Sequence, residues 1–177
     1  MVSNFEKSLA LVLAAEGKFV NHKDDPGGMT NLGVTQNAWR DWVKRGVDET
    51  EMRALTPEQV APMYKSKYWD ACKCDDLPRG VDYAVFDAAG NMGPSRAAKL
   101  LQAALGVTAD GSIGRATIAA ATAADPSDLI ESFSYGKEAF YESLPTFGTF
   151  GRGWFNRVAR VQDAAGKMMA CELLRNP

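Results

Sequence analysis

Apolar residues recur at helical spacing near the start of the chain, where Phe5, Leu9, Val12 and Leu13 share one stripe and Glu16 falls on the same stripe. Ser3-Asn4-Phe5-Glu6 ahead of it reads as a capping box, and Gly17 as the stop. The period then changes. Phe19-Val20-Asn21 and Gly33-Val34-Thr35 read as two short extended runs. Asp24-Asp25-Pro26-Gly27-Gly28 between them is a sharp reversal of the kind proline and glycine favour. The pattern predicts a helix followed by a small β-hairpin, with Glu16 facing the hairpin's polar residues.

From there on the pattern is helical. A helix starting at Thr35 or Gln36 carries Ala38, Trp39, Trp42 and Val43 and ends at Gly46. Thr56-Pro57-Glu58-Gln59 starts the next, with threonine as cap and proline at the first position. It runs through Val60, Met63 and Tyr64 toward Tyr68-Trp69, and residues 48–54 read as a polar connection with some helical turns. A helix from Arg79 to Asn91 buries Val81, Val85 and Ala88 and presents Tyr83, Asp87 and Asn91 on its other side. Ser95 is positioned to cap a helix ending at Gly106, and further helices are expected from Arg115 to Ala124 and from Asp125 to Glu142. Pro145 to Gly153 reads as a loop, and Trp154 opens a last helix with Val158, Val161, Ala165 and Met168 at core spacing. The expected fold is mainly α, with one small hairpin.

At 177 residues the chain suits one compact domain or two small ones. A formal net charge of −2 advertises no nucleic-acid partner. Cys72, Cys74 and Cys171 are an odd set with no zinc-ligand pattern around the single His22, so reduced thiols and no metal are expected. No signal peptide is read at the start, and no stretch reaches the roughly 20 apolar residues a membrane span needs. Synthesis in the cytosol without stable membrane insertion is the expectation.

Chemistry concentrates between Glu16 and Thr35. Glu16, at the end of an apolar helical stripe, is a carboxyl group placed as a general acid would be. Asp24 or Asp25 supplies a second carboxylate, and Thr30 a hydroxyl able to orient water. Each aspartate is also a common turn residue, and a hairpin threonine is often only β-forming. Trp69 is the aromatic chosen as a groove residue. Tyr83, Asp87 and Asn91 either line a sugar groove or cover a helix face. Arg152, Arg157, Arg160, Lys167 and Arg175 exceed Asp163 and Glu172 locally, and read as a solvated helix face.

The run EGKFVNHKDDPGGMTNLGVT resembles the opening motif of glycoside hydrolase family 108, the N-acetylmuramidases common among phage endolysins. It is similar, more loosely, to the Glu–Asp–Thr constellation of T-even phage lysozymes. The family usually reads Glu-Gly-Gly where this chain has Glu16-Gly17-Lys18, a departure beside the acid and not at it. VDYAVFDAAGNMGPSRAAKLLQAALGVTADGSIGRATIAA and TFGTFGRGWFNRV look like the predicted peptidoglycan-binding region that accompanies such segments. The resemblance covers nearly the whole chain. It implies a lysozyme-like helical fold and a catalytic segment over 1–92. A peptidoglycan-binding-like region over 93–177 would be packed into the same compact domain.

It also implies hydrolysis of the β-1,4 bond between N-acetylmuramic acid and N-acetylglucosamine. Glu16 would be the acid, with Asp25, the aspartate directly before Pro-Gly-Gly, and Thr30 assisting. No cofactor is required. Peptidoglycan glycan strands are the implied partner, a monomer is expected, and a separate holin would release the enzyme to the wall. The rival readings are a lytic transglycosylase and a non-catalytic wall-binding or virion structural protein.

Overall fold

The computed structural model describes residues 3–17, 19–21 and 28–173. Its elements are mainly helical with one two-stranded antiparallel sheet, as the pattern predicts. The chain forms two compact units, one of residues 6–66 and one of residues 1–5 with 67–177. The helix Val81–Met92 belongs to the core of the second unit.

In the 6–66 unit, α1 (Phe5–Ala15, all but its first residue) leads to strands β1 (Thr30–Asn31) and β2 (Val34–Thr35). Thr30 pairs with Thr35 and Asn31 with Val34. The reversal is therefore Leu32-Gly33, both at positive φ (51° and 72°), the geometry of the commonest two-residue hairpin turn. Val20 joins the other edge, where Thr30 and Val20 exchange both main-chain hydrogen bonds at 2.8 Å. The expected pairing of 19–21 directly with 33–35 is corrected in this way: residues 30–31 lie between them.

Thr35 ends β2 and caps α2 (Gln36–Val43), accepting from the Ala38 amide at 3.2 Å. Lys44, at φ 59°, takes the left-handed stop expected of Gly46. The short α3 (Glu49–Arg53) is capped by Asp48, and α4 (Pro57–Tyr64) by Thr56 and Gln59 in a full capping box. Buried Asn31 donates to the carbonyl of Met52 at 2.8 Å, tying the hairpin to α3. Met52, Val60 and Met63 are sealed from solvent, with Val34 and Trp39 also buried.

In the second unit the chain continues from α4 through a wide helical turn (Lys65–Asp70) to α5 (Val81–Met92). Nine consecutive residues of α5, Val81 to Ala89, are buried, the aspartates Asp82 and Asp87 included, so the helix is surrounded. It packs against α6 (Pro94–Ala104), α8 (Pro126–Glu142) and α9 (Phe147–Leu173), while α7 (Arg115–Ala123) precedes α8. Gly80 lets the entry to α5 pass close to α9: at φ 91°, an added Cβ there would lie 2.6 Å from the Ala165 carbonyl oxygen. Gly93 and Pro94, not Ser95, open α6.

The last helix starts seven residues earlier than Trp154. Gly151 sits against the Phe147 ring, and Phe147 pairs with Phe155 at 5.3 Å. Phe150 meets Trp154 at 5.8 Å, and Trp154 stacks on Tyr141 of α8 at 4.9 Å. Aromatic packing thus overrides the helix-weakening glycines 148, 151 and 153.

Candidate active site

Glu16 is held by helical backbone. Its amide donates to the carbonyls of Val12 (3.1 Å) and Leu13 (3.3 Å), so the residue extends the last turn of α1. Its side chain is half-buried and lies against the tip of the hairpin. A Cβ added to Gly33 would stand 2.9 Å from Glu16 Cγ and 3.1 Å from Glu16 Cδ. The same imagined atom would be 2.5 Å from the Tyr64 hydroxyl. Only a glycine at this turn leaves room for the carboxylate-bearing arm and the phenol together.

Tyr64 is the contributor that sequence reasoning did not single out. It is buried at the end of α4, and its hydroxyl donates to the Leu32 carbonyl at 2.9 Å. That bond fixes the positive-φ turn on which Glu16 rests. The spacing Val60, Met63, Tyr64 made it look like core alone, and the hydroxyl was the only signal of more.

Thr30 is half-buried in β1, its backbone held on both edges by Val20 and Thr35. Its placement is therefore set by main chain, which suits a side chain with a positioning task. Residues 19–21 are tied to α3 from the outside. Arg53 stacks over the Phe19 ring at 3.9 Å and pairs with Glu49, which accepts from Asn21. His22, Asp24 and Asp25 lie outside the described residues.

The four residues chosen for a sugar groove are placed differently. Trp69 is fully buried, edge-on to Phe5 at 5.5 Å and to Phe86 at 5.4 Å. Tyr83 is buried in α5. Asp87 is 1% exposed and bound by two cations, Lys137 of α8 at 2.8 Å and Arg157 of α9 at 2.8 and 3.0 Å. Burial pushes the Asp87 carboxyl up, but attraction and hydrogen bonds from Lys137 and Arg157 outweigh it and hold the group below its ordinary range. These three are core, because α5 is surrounded on all sides where the sequence pattern suggested one free face. Asn91 alone is exposed, donating to the Asp87 carbonyl at 2.7 Å. Arg157, expected on a solvated face, is largely covered by its bond to Asp87.

Cys72 and Cys74 are buried free thiols. Burial pushes Cys72 up to about 12 and Cys74 well above its usual value, so neither offers a thiolate. Among the described residues no group of three His, Cys, Asp or Glu side chains is placed to hold a metal ion. No described helix is long and apolar enough to cross a membrane.

What this arrangement can do is deliver a proton. A carboxyl group fixed at a helix end, backed by a rigid turn and open on one side, has the form of a general acid. The model of the family Glycosyl hydrolase 108 matches residues 9–93, and that of a Predicted Peptidoglycan domain matches residues 96–159. No curated protein matches significantly. The solved structure of Brucella abortus SagA is 40% identical, superposes with a TM-score of 0.84, and is covered over 95% of its length by 94% of this chain. Such identity, kept across almost the full length of both chains, reaches well beyond a shared helical fold of the lysozyme-like class. The chain belongs to glycosyl hydrolase family 108 and is a glycoside hydrolase acting on peptidoglycan.

Proposed function

We propose that the enzyme is an N-acetylmuramidase of the endolysin type, cutting the β-1,4 bond between N-acetylmuramic acid and N-acetylglucosamine with Glu16 as its general acid. The observation that carries this reading is the seating of Glu16 against Gly33 and the Tyr64 hydroxyl. A carboxyl group needs such a fixed direction to protonate one particular oxygen.

In the proposed reaction the Glu16 proton passes to the bridging oxygen as the bond from that oxygen to the muramic acid C1 breaks. N-acetylglucosamine leaves with a new hydroxyl. Asp25 stabilises the positive charge developing at C1 or takes a proton from the incoming water, and Thr30 orients that water. Water adds at C1 and gives up a proton to Asp25 or to the Glu16 carboxylate, so that the acid is restored and hydrolysis is completed without a cofactor. The enzyme works as a monomer, made in a bacterial host's cytoplasm, and reaches the wall after a separate holin opens the inner membrane.

The test is mass spectrometry of products released from purified sacculi. Reducing N-acetylmuramic acid ends, heavier by one water than anhydro ends, are expected. Anhydro products would replace this reading with a lytic transglycosylase. Intact sacculi would leave a wall-binding protein without muramidase activity.

A further inference from the structure

The unit formed by residues 1–5 and 67–177 carries a cleft of about 610 Å³ at the corner where α5 passes into α6. Met92, Gly93 and Pro94 form the corner itself. Leu100, Ala103 and Phe140 supply apolar wall. Two exposed cations, Arg96 and Lys99, line it from one face of α6. Its size is that of a small-ligand site, and its make-up is that of one too: a mostly apolar lining with a few polar groups in fixed places.

The cations are directed rather than trailing. Arg96 lies over the Phe140 ring with its guanidinium carbon 4.3 Å from the ring centre. Stacking of this kind holds the planar group still and leaves its N–H edge for an anion. Lys99 is braced along its stem, since an added Cβ on Gly111 would lie 3.1 Å from its Cε. Asp110, a carboxylate within the electrostatic reach of Lys99, is itself engaged, accepting from Gln102 at 2.7 Å and from the Ser112 amide at 2.9 Å. The start of α6 at Pro94 adds the positive end of a helix on the same side.

An occupant must bring carboxylates to two cations about one helical turn apart, and small apolar groups to alanine, leucine and phenylalanine. Within peptidoglycan the sugars are neutral apart from the lactyl group, which the peptide blocks. The short stem peptide, made of alanines and residues with free carboxylates, has that composition. We propose that this cleft binds the acidic stem peptide of peptidoglycan, so that the enzyme grips the peptide with one unit while Glu16 belongs to the other. The inference rests on the chain acting on peptidoglycan strands as a muramidase.

The test titrates a synthetic stem tetrapeptide with free carboxylates into the full chain and follows amide NMR shifts. Wild-type shifts should map to Arg96, Lys99, Leu100 and Ala103. The double variant Arg96→Glu/Lys99→Glu should bind at least about tenfold more weakly, as expected when desolvated charge pairs become repulsive. If that variant loses its helical circular dichroism, Arg96→Gln takes its place, with a weakening of about threefold or more expected. Absence of wild-type binding, shifts elsewhere, or equal binding by a folded variant would overturn the assignment. Stronger binding of a glycerol-phosphate oligomer than of the peptide would overturn it in favour of an anionic wall polymer. Failure of the muramidase reading is seen separately, as intact sacculi after wild-type digestion, because the peptide titration needs no bond cleavage.

Discussion

The two compact units use charge in opposite ways. Among the described residues of 6–66, ion pairs such as Arg45 with Glu51 and Arg53 with Glu49 are at the surface, where solvent screens them and they contribute little. The carboxylate of interest there, Glu16, is kept half-open against a hairpin turn. In the other unit the corresponding aspartate, Asp87, is shut inside three helices and neutralised by Lys137 and Arg157. The first carboxylate is left reachable, and the second, which ties three helices together, is sealed.

The largest expected effect breaks the reactive side alone. Glu16→Gln keeps the shape of the side chain but has no acidic proton. The rate on sacculi should fall by about 10²–10⁴-fold, the scale of a positioned acid. The melting temperature should stay close to wild type. Retention of more than a few per cent of activity would remove Glu16 as the acid.

The mirror experiment is Asp87→Ala. It removes the carboxylate that offsets buried Lys137 and Arg157, and the cost should be about 3–5 kcal/mol in denaturant unfolding. Because the folded carboxyl is held below its ordinary range, its stabilisation is present above an unfolded value near 4 and is lost as pH falls through the folded value. Wild type should therefore lose stability on acidification where the variant has less left to lose. A change under about 1 kcal/mol would mean the triad contributes no anchoring.

These contrasts bear on what a reader of the sequence could know. The helical stripe that leads to Glu16 was legible because Phe5, Leu9 and Val12 recur at one spacing and are buried. The starts of α2, α4 and α8 were legible because threonine and aspartate caps act locally. The groove face of α5 was not: a stripe of Tyr83 and Asp87 looks solvent-facing until α8 and α9 bring Lys137 and Arg157 from 50 and 70 residues away. The hairpin register was missed because Asp-Asp-Pro-Gly-Gly is a stronger turn signal than Leu32-Gly33, whose left-handed turn the Tyr64 hydroxyl supports from outside.

That support can be tested directly. Gly33→Ala would place a methyl group in contact with the Tyr64 hydroxyl and Glu16 Cγ at a positive φ. About 2–3 kcal/mol of stability and more than about tenfold in rate should be lost together. Gly17→Ala, one residue after the acid and with open space around it, serves as the control and should cost little. Loss of rate in the control as great as at Gly33 would mean that the turn contact is not what positions Glu16.

The smallest effect lies in the anchoring unit and concerns Asp82, the first acidic residue of α5. Its Oδ1 accepts from the Gly80 and Tyr83 amides at 2.7 Å each and from Asn4 Nδ2 at 3.3 Å. Burial raises its carboxyl from an ordinary 3.8 to about 6, only partly opposed by those amides, by Asn4 and by Arg79. Where Asp87 is held by Lys137 and Arg157, Asp82 is held mainly by amides, with Arg79 the cation that opposes its burial. The native state therefore holds the Asp82 proton more tightly than the unfolded chain does. The favourable contribution is full below about pH 4 and is lost as pH rises to about 6, above which the ionised group is a cost. Asp82→Asn keeps an oxygen to accept the two amides but cannot ionise. It should be stabilising by on the order of 1–2 kcal/mol at pH 7.5 and close to neutral at pH 4. Urea unfolding at the two pH values measures the difference. Equal effects at both would mean that folding does not shift the titration of Asp82, its hydrogen bonds from Gly80, Tyr83 and Asn4 offsetting its burial.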